Sequence, residues 1–414
     1  MESFEFTLKL LSPAFIAGAM EKNSGRRYQR GNRPPTEPME REIGPNGDGL
    51  RPPSLRGILR FWFRAMYGDR SLDELHEKEG WLFGDIDRGQ GIKIIFREQI
   101  AKNWQPRVIG VNGQIKAGSA LAYLGYGPLN YVSRQVGVSS FNSNMHRYAI
   151  PENTCFIFKV IGNQDQIKEL KKTLLLLHLF GGIGGRSRRA WGSIAVEADF
   201  VPPHNTDESI QQWFNRCFTY IWDNNERPSR KTTLPSFSAF SNFTQIKLSQ
   251  QDFSTYEEVM EEFGKQFKNT RQWDHRGRRF SPPIAIADHD LEKKDAFART
   301  LSGLPKRLTF GMPYHPRSFR NNWEIEYKGY YPDPNNPGVK KSIDRRASPL
   351  FLKVFQGPEG KLYALSLLLR SRYFGHPGAE VGTANNSSIT FPVTDWSAID
   401  AFLNNTNWQT INIY

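Results

Sequence analysis
The sequence predicts an α+β fold of two tandem halves, and three observations carry that expectation. The chain has 414 residues, which at roughly 100–200 residues per domain is room for two or three domains, each with its own core. Its first part reads strand–helix and then strand–helix–strand, the order of an α+β unit that closes near residue 200. Pro202-Pro203-His204-Asn205 then reads as a linker, and the same rhythm starts again. The expected division is therefore 1–200 and 201–414.

Residues 4–11 (FEFTLKLL) alternate apolar and polar side chains and run into Ser12-Pro13, the pattern of a half-buried strand ended by a turn. Residues 17–50 are rich in Gly, Pro, Arg and Asn without a period and read as a long loop. Residues 52–67 read as a helix with proline in its first turn, 72–83 as a second helix and 91–98 as a strand. Residues 99–150 are irregular. Residues 154–161 (TCFIFKVI) form a strand, and 164–180 a helix with Ile167, Leu170, Leu174 and Leu177 on one face. A strand over 191–200 completes the first half. In the second half, 236–248 is strand-like, 256–267 a helix, 268–283 a basic loop, 307–310 a short strand and 311–342 an insertion. Residues 349–355 and 361–370 read as a hairpin, 395–403 as a short helix and 410–414 as a final strand.

Lys and Arg total 55 against 42 Asp and Glu, a net charge of +13. That excess favours a polyanionic partner: nucleic acid, an acidic protein or an anionic membrane surface. Only two cysteines occur, Cys155 and Cys217, so neither a four-thiol zinc site nor a disulfide framework is expected. Glu2, Glu5 and Lys9 interrupt the N-terminal segment, which does not read as a signal peptide. The longest apolar run, 174–180, contains His178 and is too short to span a bilayer. The expectation is a cytoplasmic protein without cofactor or metal.

Three basic constellations stand out. In Arg51 to Met66, Leu55, Ile58, Leu59, Trp62 and Met66 form a core face, while Arg56, Arg60 and Arg64 recur every four residues along an adjacent stripe. Such a stripe suits successive phosphates, or else pairs with nearby carboxylates. In GGIGGRSRRAWG, Gly181 to Gly192, glycines permit positive φ and close approach, and Arg186, Arg188, Arg189 and Trp191 follow at once. Amides plus guanidiniums would cradle an anion and the indole would stack on a base; the alternative is a helix cap with a turn. The loop leads into a strand and has no closing Gly-Lys-Ser/Thr, which excludes an NTPase phosphate loop. The third is Asn269 to Phe280, where Arg271, Arg276, Arg278 and Arg279 interleave with Trp273, His275 and Phe280, as single-stranded RNA binders do. Arg26, Arg27, Arg30 and Arg33 with Tyr28 form a similar group.

Catalytic signals are sparse. Asp288-His289-Asp290 has metal-like composition, but consecutive residues rarely converge on one ion. His178 reads as a core histidine, and His146 as a weak candidate base for metal-independent RNA cleavage.

Several of these motifs together resemble the RAMP proteins of CRISPR systems. They are the opening strand continuing into Ser12-Pro13-Ala14-Phe15-Ile16, the Arg51–Gly57 and Arg60–Arg64 motif, and the glycine-rich loop. Leu82-Phe83-Gly84 and Arg345 to Leu350 (RRASPL) narrow the resemblance to the first RAMP subunit of type III-B (Cmr) effector complexes. The resemblance implies two ferredoxin-like (RRM-like) halves and a non-catalytic subunit that holds the 3′ region of a guide CRISPR RNA. It implies other RAMP subunits and target RNA as partners. The RNA-binding positions it implies are Arg51, Ser54, Arg56, Arg60 and Arg64, then Gly182, Gly184, Gly185, Arg186, Ser187, Arg188 and Arg189. Trp191, Arg271, Arg276, Arg278 and Arg279 are added on composition alone. The alternative is a RAMP-class endoribonuclease that processes CRISPR RNA.

Overall fold
The computed structural model describes residues 1–16, 50–68, 70–89, 91–100, 115–116, 119–125, 140–141, 149–205, 207–222, 228, 233–273, 277–312, 325–343, 345–375, 378–383, 386–404 and 407–413. The first half builds β1 (Glu2–Leu10), α1 (Pro52–Met66), α2 (Leu72–Phe83) and β2 (Lys93–Ile100). A connection carrying β3 (Ile115–Lys116), α3 (Ala120–Leu124) and β4 (Ser140–Phe141) follows. Then come β5 (Cys155–Gly162), α4 (Gln164–Phe180) and β6 (Ile194–Glu197). The main sheet is ordered β2-β5-β1-β6 and is antiparallel throughout, which is the ferredoxin-like arrangement of a split βαββαβ unit. The alternation in β1 places Phe6, Leu8 and Leu10 on one face, opposite Phe158 and Phe156 of β5, and the Phe6 and Phe158 rings stack at 5.7 Å.

The second half repeats this topology around two insertions. After α5 (Ile210–Ile221) come β7 (Gln245–Leu248), α6 (Tyr256–Arg271), α7 (Pro283–Ala298), β8 (Tyr327–Pro332) and β9 (Lys340–Ile343). The chain then forms β10 (Leu350–Gln356), β11 (Leu362–Leu368), β12 (Glu380–Thr383), β13 (Asn386–Phe391), α8 (Ser397–Asn404) and β14 (Gln409–Thr410). The sheet β10-β11-β7-β14 has the order of the first one, and the insertions pair with each other as β13-β12-β8-β9.

The two halves share a core. Trp62 of α1, Phe180 of α4 and Phe214 and Phe218 of α5 pack with Ile246, Phe351, Phe355, Leu365 and Leu367 on one face of the second sheet. The other face, with Leu352, Val354 and Ala364, packs on Val259, Phe263 and Phe267 of α6 and Phe402 of α8. The second sheet is thus buried on both sides, and each aromatic ring enclosed here contributes on the order of 2–3 kcal/mol. α5, on the C-terminal side of residue 200, packs on α4 of the first half.

The structure differs from the sequence reading in several places. Residues 306–310 form a 3₁₀ helix instead of a strand, because the backbone N–H groups of Lys306 and Arg307 turn inward onto the Asp288 carboxylate. The strand expected over 236–248 is only β7, since Phe240 N–H leaves the sheet to bond Ala65 O at the end of α1. The basic loop 268–283 starts as the last turn of α6 and ends in a 3₁₀ turn, Arg278–Phe280. The insertion contains β8 and β9. The loop 17–50, with Arg26, Arg27, Tyr28, Arg30 and Arg33, lies outside the described residues except Leu50. No helix among the described residues is long and apolar enough to cross a membrane.

Candidate nucleic-acid interface
The glycine-rich loop joins α4 to β6 and is bent sharply at both ends. Gly184 has φ +79° and a Cβ there would lie 2.6 Å from Phe15 O; Gly192 has φ +63° and its Cβ would lie 2.0 Å from Ile183 O. Only glycine fits either position. Arg186 and Ala190 also take positive φ, 61° and 65°, at a cost of about 1 kcal/mol each, a kind of strain that collects at ligand sites. The amides of Ile183, Gly185, Arg189, Ala190 and Gly192 all donate to internal carbonyls. The loop therefore presents side chains, and the amide cradle expected from sequence is not formed by these groups.

Two pairs of guanidiniums lie where this loop touches the second half, Arg188 with Arg346 and Arg189 with Arg271, each pair close enough for one charge to act on the other. Arg188 lies over the rings of Phe351 (4.4 Å) and Phe61 (5.1 Å) and donates to Ser348 O. Arg189 lies over Phe267 at 5.4 Å. Arg271, from the end of α6, lies over Phe310, Phe267 and Tyr123 at 4.7, 5.3 and 5.7 Å. Arg346 lies over Tyr373 at 4.3 Å and donates to the carbonyls of Tyr373 and Ala347. Aromatic faces hold these cations in place without neutralising them. Among the described residues none of the four pairs with a carboxylate. Burial lowers Arg188 to about 10, with the charge of Arg346 adding to it. Burial and then Arg271 lower Arg189 to about 10, and burial lowers Arg346 to about 10. All three stay cationic near neutrality. Half-buried positive charge with no counter-charge, drawn from both halves, is an anion receiver.

The helical stripe does something else. Arg56 donates to Phe83 O and Ile92 O, both at 3.2 Å. Arg60 bonds Gly84 O at 2.5 Å and Glu79 at 3.3 Å, and Arg64 bonds both Glu79 oxygens at 3.1 Å. The stripe clamps α1 to α2 through Glu79, which is only 8 % exposed. The structure favours the carboxylate-pairing alternative, with Glu79 as the carboxylate. Arg51 and Ser54 are exposed at the start of α1. Trp191 corrects an expectation outright: it is fully buried against Phe15, ring centroids 4.7 Å apart, and no base can stack on it. Arg186 and Arg279 are exposed, Arg278 pairs with Asp290 at 2.6 Å, and Arg276 lies outside the described residues.

Sequence reasoning missed Arg346 as a binding candidate, although its RRASPL motif was visible. It also missed the rings of Phe61, Phe351 and Tyr373, whose partners only the fold brings together.

The histidine and metal candidates separate. Asp288 turns to Arg307 (2.8 Å), away from His289, which stacks on Trp273 (3.9 Å) with its Nδ1 3.9 Å from Asp290, itself paired with Arg278, so the three side chains do not converge on one point. His146 lies outside the described residues. His178 is buried, and its Nδ1 accepts the Val196 N–H at 2.9 Å. Burial, then the charge of Lys353, lowers it to about 3. The unfolded chain protonates this imidazole below about 6.5 while the folded one does not, so its contribution is complete above 6.5 and is lost as pH falls toward 3. We expect His178→Gln to remove about 1.4 kcal/mol per pH unit from the slope of stability between pH 6 and 4. Chemical denaturation of both proteins across that range checks this; identical slopes would refute it.

Residues 7–195 match the RAMP superfamily. That match makes the first half of the chain similar to RAMP proteins. Over its whole length the protein is similar to Cmr1 from Pyrococcus furiosus in its apo form, with 16% sequence identity, 99% of each chain covered and a TM-score of 0.52, which shows a shared fold. It is also similar to chains in two cryo-EM structures of the type III-B Cmr-beta complex. The one bound to cognate target RNA gives 12% identity, 98% and 99% coverage and a TM-score of 0.46. The one also bound to AMPPnP in the presence of ssDNA gives 11%, 97% of each chain and 0.46. No curated protein matches the chain.

Proposed function
We propose that this protein is a non-catalytic RNA-binding subunit of a type III-B CRISPR effector complex. There it holds the 3′ region of the guide RNA and helps engage target RNA beside other RAMP subunits in the cytoplasm. The observation that carries the reading is the seam of Arg188, Arg189, Arg271 and Arg346, four cations braced by aromatic rings with no carboxylate among the described residues. Phosphodiesters are the anions such a row suits, and guanidiniums engage them with paired donors. The RAMP match and the Cmr1-like fold support placing that RNA in a CRISPR assembly. A ribonuclease reading gains little from His178, whose Nδ1 is taken by the Val196 N–H and whose residue is only 8 % exposed.

The test is binding of a labelled single-stranded RNA to the full chain in EDTA across a salt series. Four phosphate contacts predict a slope of log K against log salt of roughly −3, at about −0.7 per contact, with the RNA intact afterwards. Binding that ignores salt, or cleaved RNA that depends on the protein, would overturn the proposal.

A further inference from the structure
Lys353 sits in the middle of β10, in a strand whose burial pattern is otherwise that of an apolar core strand. Its side chain is 1 % exposed. No carboxylate meets its ammonium among the described residues. It donates instead to Ile194 O at 2.6 Å, Gly181 O at 2.8 Å and, more weakly, Leu177 O at 3.5 Å. Gly181 and Leu177 are at the end of α4, where the helix dipole favours a cation, and Leu177 O already accepts the capping Gly181 N–H at 2.8 Å, which leaves Gly181 O as the stronger site for the lysine. Ile194 opens β6. The three acceptors are thus the two feet of the glycine-rich loop, and the donor comes from the other half of the chain.

Two serines extend the same tie. Ser12 Oγ donates to Ala190 O (2.5 Å) and accepts Ser193 N–H (3.0 Å). Ser193 Oγ donates to Ala190 O (3.0 Å) and accepts Val354 N–H (3.0 Å). Ala190 N–H and Leu352 N–H exchange bonds with Leu352 O and Arg188 O. Taking an ammonium out of water is expensive, and an apolar residue would fill this face of β10 as Phe351 and Phe355 do on either side. A lysine here is explained by what it holds.

We infer that Lys353 is a positioning residue for the arginine loop: from the second half it pins both feet of the loop, so that Arg186, Arg188 and Arg189 are preorganised only in the two-half molecule. The RNA consequence rests on the function proposed above; the mechanical one does not. Lys353→Met keeps the length of the side chain and removes the donors. Leu367→Ala, a core truncation on the neighbouring strand β11 opposite Phe351, removes apolar volume without removing any hydrogen bond to the feet of the loop and serves as a stability control.

Amide hydrogen exchange and RNA affinity are measured for both full-length variants. In Lys353→Met the amides of Ile183, Gly185 and Gly192 should lose protection while those of β1 and β5 keep it. Affinity for a labelled single-stranded oligouridylate should fall about tenfold, the order expected for charge-assisted hydrogen bonds. Its salt slope should stay unchanged, because no phosphate contact is removed. Leu367→Ala should loosen the molecule generally without that selective loss. Retained loop protection in Lys353→Met, or exchange and affinity indistinguishable from Leu367→Ala, overturns the inference. Selective loss of loop protection in a protein that does not bind RNA even as wild type would support the positioning role and sink the RNA-binding reading.

Discussion

Changing Arg188, Arg189, Arg271 and Arg346 together to methionine is expected to weaken single-stranded RNA binding by on the order of a thousandfold or more. Each guanidinium–phosphate contact is a charge-assisted hydrogen bond worth about tenfold in affinity; four independent contacts would multiply to about ten thousandfold, and the mutual repulsion of Arg188 with Arg346 and of Arg189 with Arg271 reduces that product. Methionine is chosen because these side chains also pack: the Arg188 guanidinium lies over Phe61 and Phe351, and that of Arg346 over Tyr373. The loss should be alike for all RNA sequences, since phosphates carry no sequence information. The salt slope should flatten by about 0.7 for each contact removed. By contrast, Arg60→Met and Arg64→Met should leave affinity near wild type and lower stability, because those side chains are engaged with Glu79. Filter binding at two salt concentrations, with thermal unfolding of the same samples, separates the two groups. A quadruple variant that binds RNA normally would remove the seam from the interface, and a strong effect at Arg60 or Arg64 would return the helical stripe to it.

The contrast between seam and stripe shows what the sequence could and could not reveal. Periodicity identified α1 and α4, because their buried sides are apolar and regularly spaced. It located β10 and β11 as a hairpin for the same reason. The order of strands within each sheet is a long-range property, so the two matched ferredoxin-like sheets rested on the family resemblance alone. α7 escaped notice because its inner face is not an apolar stripe: Asp288, Glu292 and Asp295 are buried there beside only two alanines, Ala285 and Ala296. Lys353 escaped for a related reason, since a lone lysine in a strand normally marks its solvent side. Regular arginine spacing on α1 suggested a phosphate track, but Glu79 lies one helix away and takes two of those side chains. The arginines that do lie together pair residue 188 with 346 and residue 189 with 271, spacings that only folding makes compact. The glycine-rich loop was legible as an unusual segment, while Trp191 within it was misread because an aromatic beside arginines looks the same whether it faces a ligand or the core.

The inward face of α7 also gives the largest expected effect on stability. Arg307→Met should destabilise the protein by about 3–5 kcal/mol, the range for removing one partner from a buried ion pair. Arg307 is the cation set among these acids. Its Nε meets Asp288 at 2.8 Å and its Nη2 meets Glu292 at 3.3 Å, with side-chain exposures of 11 %, 2 % and 4 % in that order. Asp288 also accepts the backbone N–H groups of Lys306 and Arg307, so the same carboxylate shapes the 3₁₀ helix that follows. Asp295, one turn on, accepts the Ser302 N–H and hydroxyl on its Oδ1, while its buried Oδ2 has no hydrogen-bond partner among the described residues. Methionine in place of Arg307 leaves two enclosed carboxylates without their counter-charge, and the loss comes from their desolvation more than from the missing contacts. That account makes a second demand. Adding Asp288→Asn and Glu292→Gln to Arg307→Met should restore much of the lost stability, because neutral amides need no cation. Urea unfolding of the single and triple variants decides between the possibilities. A triple variant as unstable as the single one would mean that the hydrogen-bonded geometry at Asp288 matters more than the charge. A single variant of near-native stability would mean that the cluster is far better solvated than its burial indicates.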